Sequence, residues 1–223
     1  MKRYLFLLVI LFICSCRSLP AIQPIGNSLH QFNTQLCSDL YPKGKWQYIH
    51  SIEATMPNKK KAFVIGITNI SSKDRTINVL MMTIEGLVLF DAKYVKELRI
   101  KKAIPPFDST EFAAGLIEDV KLIFFKPDGM TVQSGYLKDG SNVCRYRDTE
   151  DYTIDLYLDQ KTEWEIKKYN NHNKLIRHVK SVPITEKQGT NRTSIPPRIE
   201  LIGFGKHTYS LQMDLLQEKE LNK

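Results

Sequence analysis

Histidine and cysteine are scarce here, with five and four copies in 223 residues. His30, His50, His172, His178 and His207 stand at no metal-ligand spacing, which leaves zinc-hydrolase chemistry without its motif. There is no GxSxG elbow and no phosphate-cradling glycine loop, so serine-hydrolase and nucleotide-handling readings fail too. Glu118 and Asp119 are adjacent and diverge on a helix, so they are no acid–base pair. Nothing around Cys144 marks a nucleophile, and Arg145, Arg147, Glu150 and Asp151 read as solvated strand and turn charges. No catalytic residue, cofactor or metal is expected. The net charge is +8, but apart from Lys59-Lys60-Lys61 the basic residues are scattered. A nucleic-acid partner is therefore not expected. Internal repeats and low-complexity segments are absent.

The one long apolar run lies at the start. Lys2 and Arg3 precede Leu5 to Ile13, and Cys14, Ser15 and Cys16 follow. A basic start, a short apolar run and a small residue describe a secretory signal. The run is shorter than the ~20 residues needed to span a bilayer. Ile13-Cys14-Ser15-Cys16 resembles the bacterial lipobox, with an aliphatic residue three before the modified cysteine and a small one just before it. Cys14 fits worse as acceptor, since Ile13 would fill the small site. Cleavage before Cys16 makes 1–15 a signal peptide and Cys16 the lipid-attachment residue; the alternative is an ordinary signal with incidental cysteines. Arg17, not Asp, follows Cys16, which by resemblance to known sorting favours the outer membrane. Cys37 and Cys144 remain after export, and are either bridged, as an oxidising compartment favours, or two free thiols.

Residues 16–45 are interrupted by Pro20, Pro24, Gly26, Pro42 and Gly44 and read as a tether long enough to lift a domain off a membrane. From Trp46 the dominant period is two, the sign of half-buried strands. Trp46, Tyr48, His50, Ile52, Ala54 and Met56 share one face. Strands follow at Phe63 to Ile70, Ile77 to Ile84 and Leu87 to Tyr94, with Glu85-Gly86 as a tight turn. Between Pro106 and Pro127 the spacing changes. Phe112, Ala113, Leu116, Ile117, Val120, Ile123 and Phe124 recur at helical intervals behind Asp108 and Ser109 as caps, predicting an amphipathic helix from about Ser109 to Phe124. Alternation resumes at Val143 to Arg147 and continues to Tyr209 to Leu215. About ten antiparallel strands tend to curl, and the helix must bury its apolar stripe against the concave side. The domain is placed at 46–216 and a frayed tail at 217–223.

The order of these features, with the Ile84-Glu85-Gly86-Leu87 turn and the segment Phe112 to Phe125, resembles the LolB-like group, and within it a family of bacterial outer-membrane lipoproteins. The resemblance implies a mainly β fold with an inserted helix: a strongly curved antiparallel sheet, an unclosed barrel, covered by one or more helices. It implies an apolar hollow that takes acyl chains of a lipid or lipoprotein, supplied by a periplasmic carrier, at the periplasmic face of the outer membrane. It also associates the chain with making or exporting aryl-polyene-type outer-membrane lipids. The candidate lining is Ile52, Ile65, Met82, Phe90, Phe112, Leu116, Val120, Leu156, Trp164, Leu201, Leu211 and Met213. The contrasting expectation is a structural or protein-interaction lipoprotein with a solid core. In the LolB-like group a leucine projects from the turn corresponding to 84–87 and helps deliver cargo. Here Glu85 is expected at the tip and Leu87 in the next strand, a departure that weighs against that manner of delivery.

Overall fold

The computed structural model describes residues 19–24, 37, 39–158, 163–182, 195–206 and 208–221. Residues 1–15, expected to form a signal, and Cys16 lie outside these. Two antiparallel meanders build one sheet. The first is β2 (Lys45–Thr55), β3 (Lys61–Ser71), β4 (Thr76–Met82), β5 (Val88–Tyr94) and β6 (Leu98–Ala103). The second is β7 (Met130–Tyr136), β8 (Asn142–Arg147), β9 (Thr153–Leu158), β10 (Trp164–Tyr169), β11 (Leu175–Val182), β12 (Arg198–Gly203) and β13 (Tyr209–Glu220). A two-residue strand, β1 (Gln23–Pro24), pairs with β7. The order is β1-β7-β8-β9-β10-β11-β12-β13-β2-β3-β4-β5-β6. β13 returns to pair with β2 from Ser210↔Thr55 to Glu220↔Trp46, so the meanders become one sheet. β6 and the β1–β7 edge do not pair with each other, so the barrel stays open.

The helix α1 (Thr110–Phe124) is the connection between those two free edges. Ser109 caps it, its Oγ accepting the Phe112 N–H at 3.0 Å, and Phe125 leaves it in an extended conformation. Its buried residues Ala113, Ile117, Val120 and Ile123 join a core cluster containing Val79 and Phe90 from one meander and Tyr146, Leu156 and Ile166 from the other. One core drawing on both meanders requires the sheet to curl round the helix. Strand phase follows burial. His50, Val64, Val79, Phe90, Leu156, Leu201 and Met213 face inward and are buried.

Several expectations are corrected. Ile65 and Met82 face outward, paired with each other on the convex side. Residues 63–67 are apolar on both faces apart from Gly66, so composition leaves the phase open there, and the Val64↔Ile52 register decides it. β4 stops at Met82, leaving Ile84 and Leu87 in the turn, 76% and 55% exposed. Glu85 therefore does not hold that tip alone, and Leu87 does not begin the strand. β7 carries no strand signal in the sequence, because MTVQSGY offers little apolar alternation. β13 runs on to Glu220, so 217–220 is paired strand rather than frayed tail; the ladder with β2 supplies the hydrogen bonds that an end would lack.

The expected free tether is also replaced by a docked segment. Ile22 is buried against Val143 and Tyr157 on the convex face. Arg145 donates to the Pro20 carbonyl at 3.0 Å and holds Asp155 with two bonds, Nε to Oδ1 at 2.6 Å and Nη2 to Oδ2 at 2.7 Å. Tyr157 donates to the same carboxylate at 3.1 Å. Arg145 is thus a buried partner and not a solvated charge, because residues 20–22 cover it. Gly135 makes room: a Cβ there would stand 2.1 Å from the Gln23 carbonyl oxygen.

Cys37 and Cys144 are bonded, both fully buried, across a sequence separation of 107. A loop of that length should be worth about 5 kcal/mol through restriction of the unfolded chain. The double variant Cys37→Ala/Cys144→Ala is expected to lose that much, read as a lower urea midpoint at neutral pH.

Candidate functional site

The helix–sheet interface and the recess at its entrance form the candidate site. Tyr48 stacks on Phe124 with centroids 5.0 Å apart, and Phe112 meets Phe90 edge-on at 5.5 Å and Phe107 at 5.2 Å. Of the residues expected to line a hollow, Phe90, Val120, Leu156, Trp164, Leu201 and Met213 are buried in the core, and Ile52, Phe112, Leu116 and Leu211 pack half-buried against it. Ile65 and Met82 are not brought to this interface, as described above.

Polar groups pin the helix from one side. Asp119 is buried on α1, and Arg177 of β11 donates to its Oδ1 at 2.7 Å. The Tyr209 hydroxyl of β13 donates to Oδ2. Tyr209 reaches across because Gly203 opposite it has no Cβ; one would fall 2.3 Å from the Tyr209 ring. Burial pushes the Asp119 carboxyl above the usual range against the pull of Arg177, and burial, with the neighbouring Asp119, pushes the Tyr209 hydroxyl up. Glu118 diverges as its adjacency implies, toward Lys121 at 2.8 Å and Lys168 at 3.6 Å. Lys121 also lies over the Tyr94 ring at 3.9 Å.

His50 sits beneath the far end of the helix, near Tyr48 and Phe124. Its Nε2 is buried and has no hydrogen-bond partner among the described residues. Burial lowers its pKa to about 4, partly opposed by Asp214.

A recess of about 550 Å³ opens where the chain enters the helix. Met56, Pro57, Ala62, Val64, Leu89, Pro106 and Phe107 supply apolar walls, with Lys60 and Lys61 at the rim. Its size falls within the range of small-molecule sites, roughly 300–1,000 Å³. No sequence pattern marks these walls, since they come from the β2–β3 turn, the start of β5 and the loop after β6, which only folding brings together. A second recess of about 510 Å³ beside the β7–β8 turn is walled by Asp139, Glu163, Glu165, Lys167 and Lys180 among others, and those charges do not suit an acyl chain.

Two outcomes follow. Asp119→Leu should cost about 3 kcal/mol by stranding the half-buried Arg177 charge, and the pair Asp119→Leu/Arg177→Met should recover much of it; chemical denaturation of the three proteins measures both. For His50, the folded pKa lies below the unfolded 6.5, so the unfolded chain binds the proton first and stability falls as pH drops from about 6.5 to 4. The loss from this residue should reach roughly 3 kcal/mol at pH 4. In His50→Leu that part of the acid slope should disappear, read from urea midpoints at pH 7 and pH 4.

No protein-family model matches the chain. No curated protein is significantly similar to it. Solved structures are similar in shape. A LolA superfamily protein from Nitrosomonas europaea matches with a TM-score of 0.55 and 11% identity, over 86% of this chain and 96% of its own. A domain from Vibrio parahaemolyticus, assigned to outer-membrane lipoprotein sorting, matches with a TM-score of 0.50 and 10% identity, over 83% and 89%. This likeness is one of fold, and the chain is built on the LolA-like plan, an unclosed antiparallel barrel with a helix in its opening.

Proposed function

We propose that this protein is a non-enzymatic lipoprotein, anchored through Cys16 at the periplasmic face of the outer membrane, that binds acyl chains of a lipid or lipoprotein. The observation that carries the reading is the apolar recess between the β2–β3 turn, Leu89 and Phe107, beside the loop that leads into the helix. An acyl chain in water costs about 0.8 kcal/mol per CH₂, and such walls remove that cost without any catalytic group. The solved structures of similar shape, one a LolA superfamily protein and one a lipoprotein-sorting domain, support the same reading.

A second reading has its own observation. Phe90, Leu156, Ile166 and Leu201 are fully buried in one continuous cluster, as in a solid-cored interaction protein. Loading distinguishes the two. The chain from Arg17 onward, purified after secretion, should carry lipid in native mass spectrometry or take up a fluorescent fatty acid. Leu89→Gln should weaken that uptake about tenfold, or 1.4 kcal/mol, the order of one buried leucine side chain. A protein that stays empty at saturating probe and co-purifies with a protein partner would favour the solid-core reading.

A further inference from the structure

The distance between the anchor and the folded body is short. Only Arg17 and Ser18 separate Cys16 from Leu19, where the described chain begins. Four residues on from Cys16, the Pro20 carbonyl already accepts from Arg145 on β8, and Ile22 is buried between Val143 and Tyr157. The Ile22 carbonyl accepts from Gln133 Nε2 at 3.2 Å, and Gln23 pairs with Tyr136. Four fully extended steps reach about 14 Å. A domain of this length is roughly 40 Å across. The leash is therefore shorter than the body it holds, and the body cannot turn an arbitrary side to the lipid.

The point of departure lies on the convex face. Val143, Arg145, Asp155 and Tyr157 belong to the outward phase of β8 and β9, while Cys144, Tyr146, Ile154 and Leu156 point into the core with the helix. The dock is not easily released, because leaving it would expose Asp155, which is fully buried and held by Arg145 and Tyr157. The surrounding surface mixes charge with apolar exposure: on β7, Met130 and Val132 are 80% and 54% exposed, and Met130 stands opposite Arg147 in the outward phase. Lys138 is exposed on the β7–β8 turn, and Glu165 and Lys167 occupy the outward phase of β10. Such a surface meets lipid headgroups through its charged side chains, with Met130 and Val132 beside them at the edge strand.

We infer that the convex face of β7–β10 is a membrane-facing surface that rests on the phospholipid headgroups of the anchoring bilayer, with the helix side turned away. The inference depends on lipidation of Cys16, as proposed above.

The test uses the lipidated full chain in phosphatidylethanolamine/phosphatidylglycerol vesicles carrying a headgroup-level spin quencher. An environment-sensitive fluorophore is placed at Lys138→Cys or, on the helix, at Glu111→Cys. Emission at 138 should fall by about half and emission at 111 should change little. A flexible Gly-Ser insertion of about twelve residues between Ser18 and Leu19 should erase the difference while leaving the thermal melt unchanged. Equal quenching at both positions, stronger quenching at 111, or a contrast that survives the insertion would overturn the orientation in a chain whose Cys16 is lipidated by mass spectrometry. An unmodified Cys16 would overturn the anchorage, and the orientation with it.

Discussion

The ladder between β2 and β13 is the pairing on which the rest depends. It is among the longest in the sheet and joins strands from opposite ends of the chain. Without it the two meanders would be separate sheets, each with its apolar face against water. With it they share one concave side, and the free edges, β6 and β1–β7, come to lie at opposite ends of the strand order. Closing the barrel would satisfy those edges, but α1 is the link between β6 and β7 and packs into the same core. The opening is thus a consequence of where the helix falls in the chain.

The helix is held in two different ways along its length. Its apolar stripe contributes the bulk of the attachment, with Phe112 and Phe124 in aromatic contact at either end. Asp119 adds a directional constraint, because its two oxygens are taken by groups from β11 and β13. Buried ion pairs contribute little net stability but penalise misplacement strongly, so this pair sets the helix register more than it strengthens the fold. The recess lies at the other end, where the chain arrives from Pro105-Pro106 and the walls come from loops.

The convex face carries a second, smaller order of its own. Ile22, Val143 and Tyr157 make an apolar patch outside the main core, and the Arg145–Asp155 pair is sealed beneath the incoming chain. Cys37, bonded to Cys144, ties the same N-terminal region to the inward side of β8. Residues 19–24 are in this way part of the fold.

The periodicities of the chain by themselves determined a good deal: the mainly antiparallel β class, a helix from Ser109 to Phe124, and the inward phase of Tyr48, Leu201 and Met213. These are local properties, since one half-buried strand or one amphipathic helix carries its own pattern. Where both faces of a strand are apolar, as around Ile65 and Met82, the pattern is degenerate and only the cross-strand register chose the side. Strands with little apolar content, such as β7, exist because neighbours supply their hydrogen bonds. The recess, the Asp119–Arg177–Tyr209 cluster and the docking of residues 19–24 were decided by tertiary structure alone. Each joins residues far apart in sequence, and no local period records which distant side chain will lie opposite.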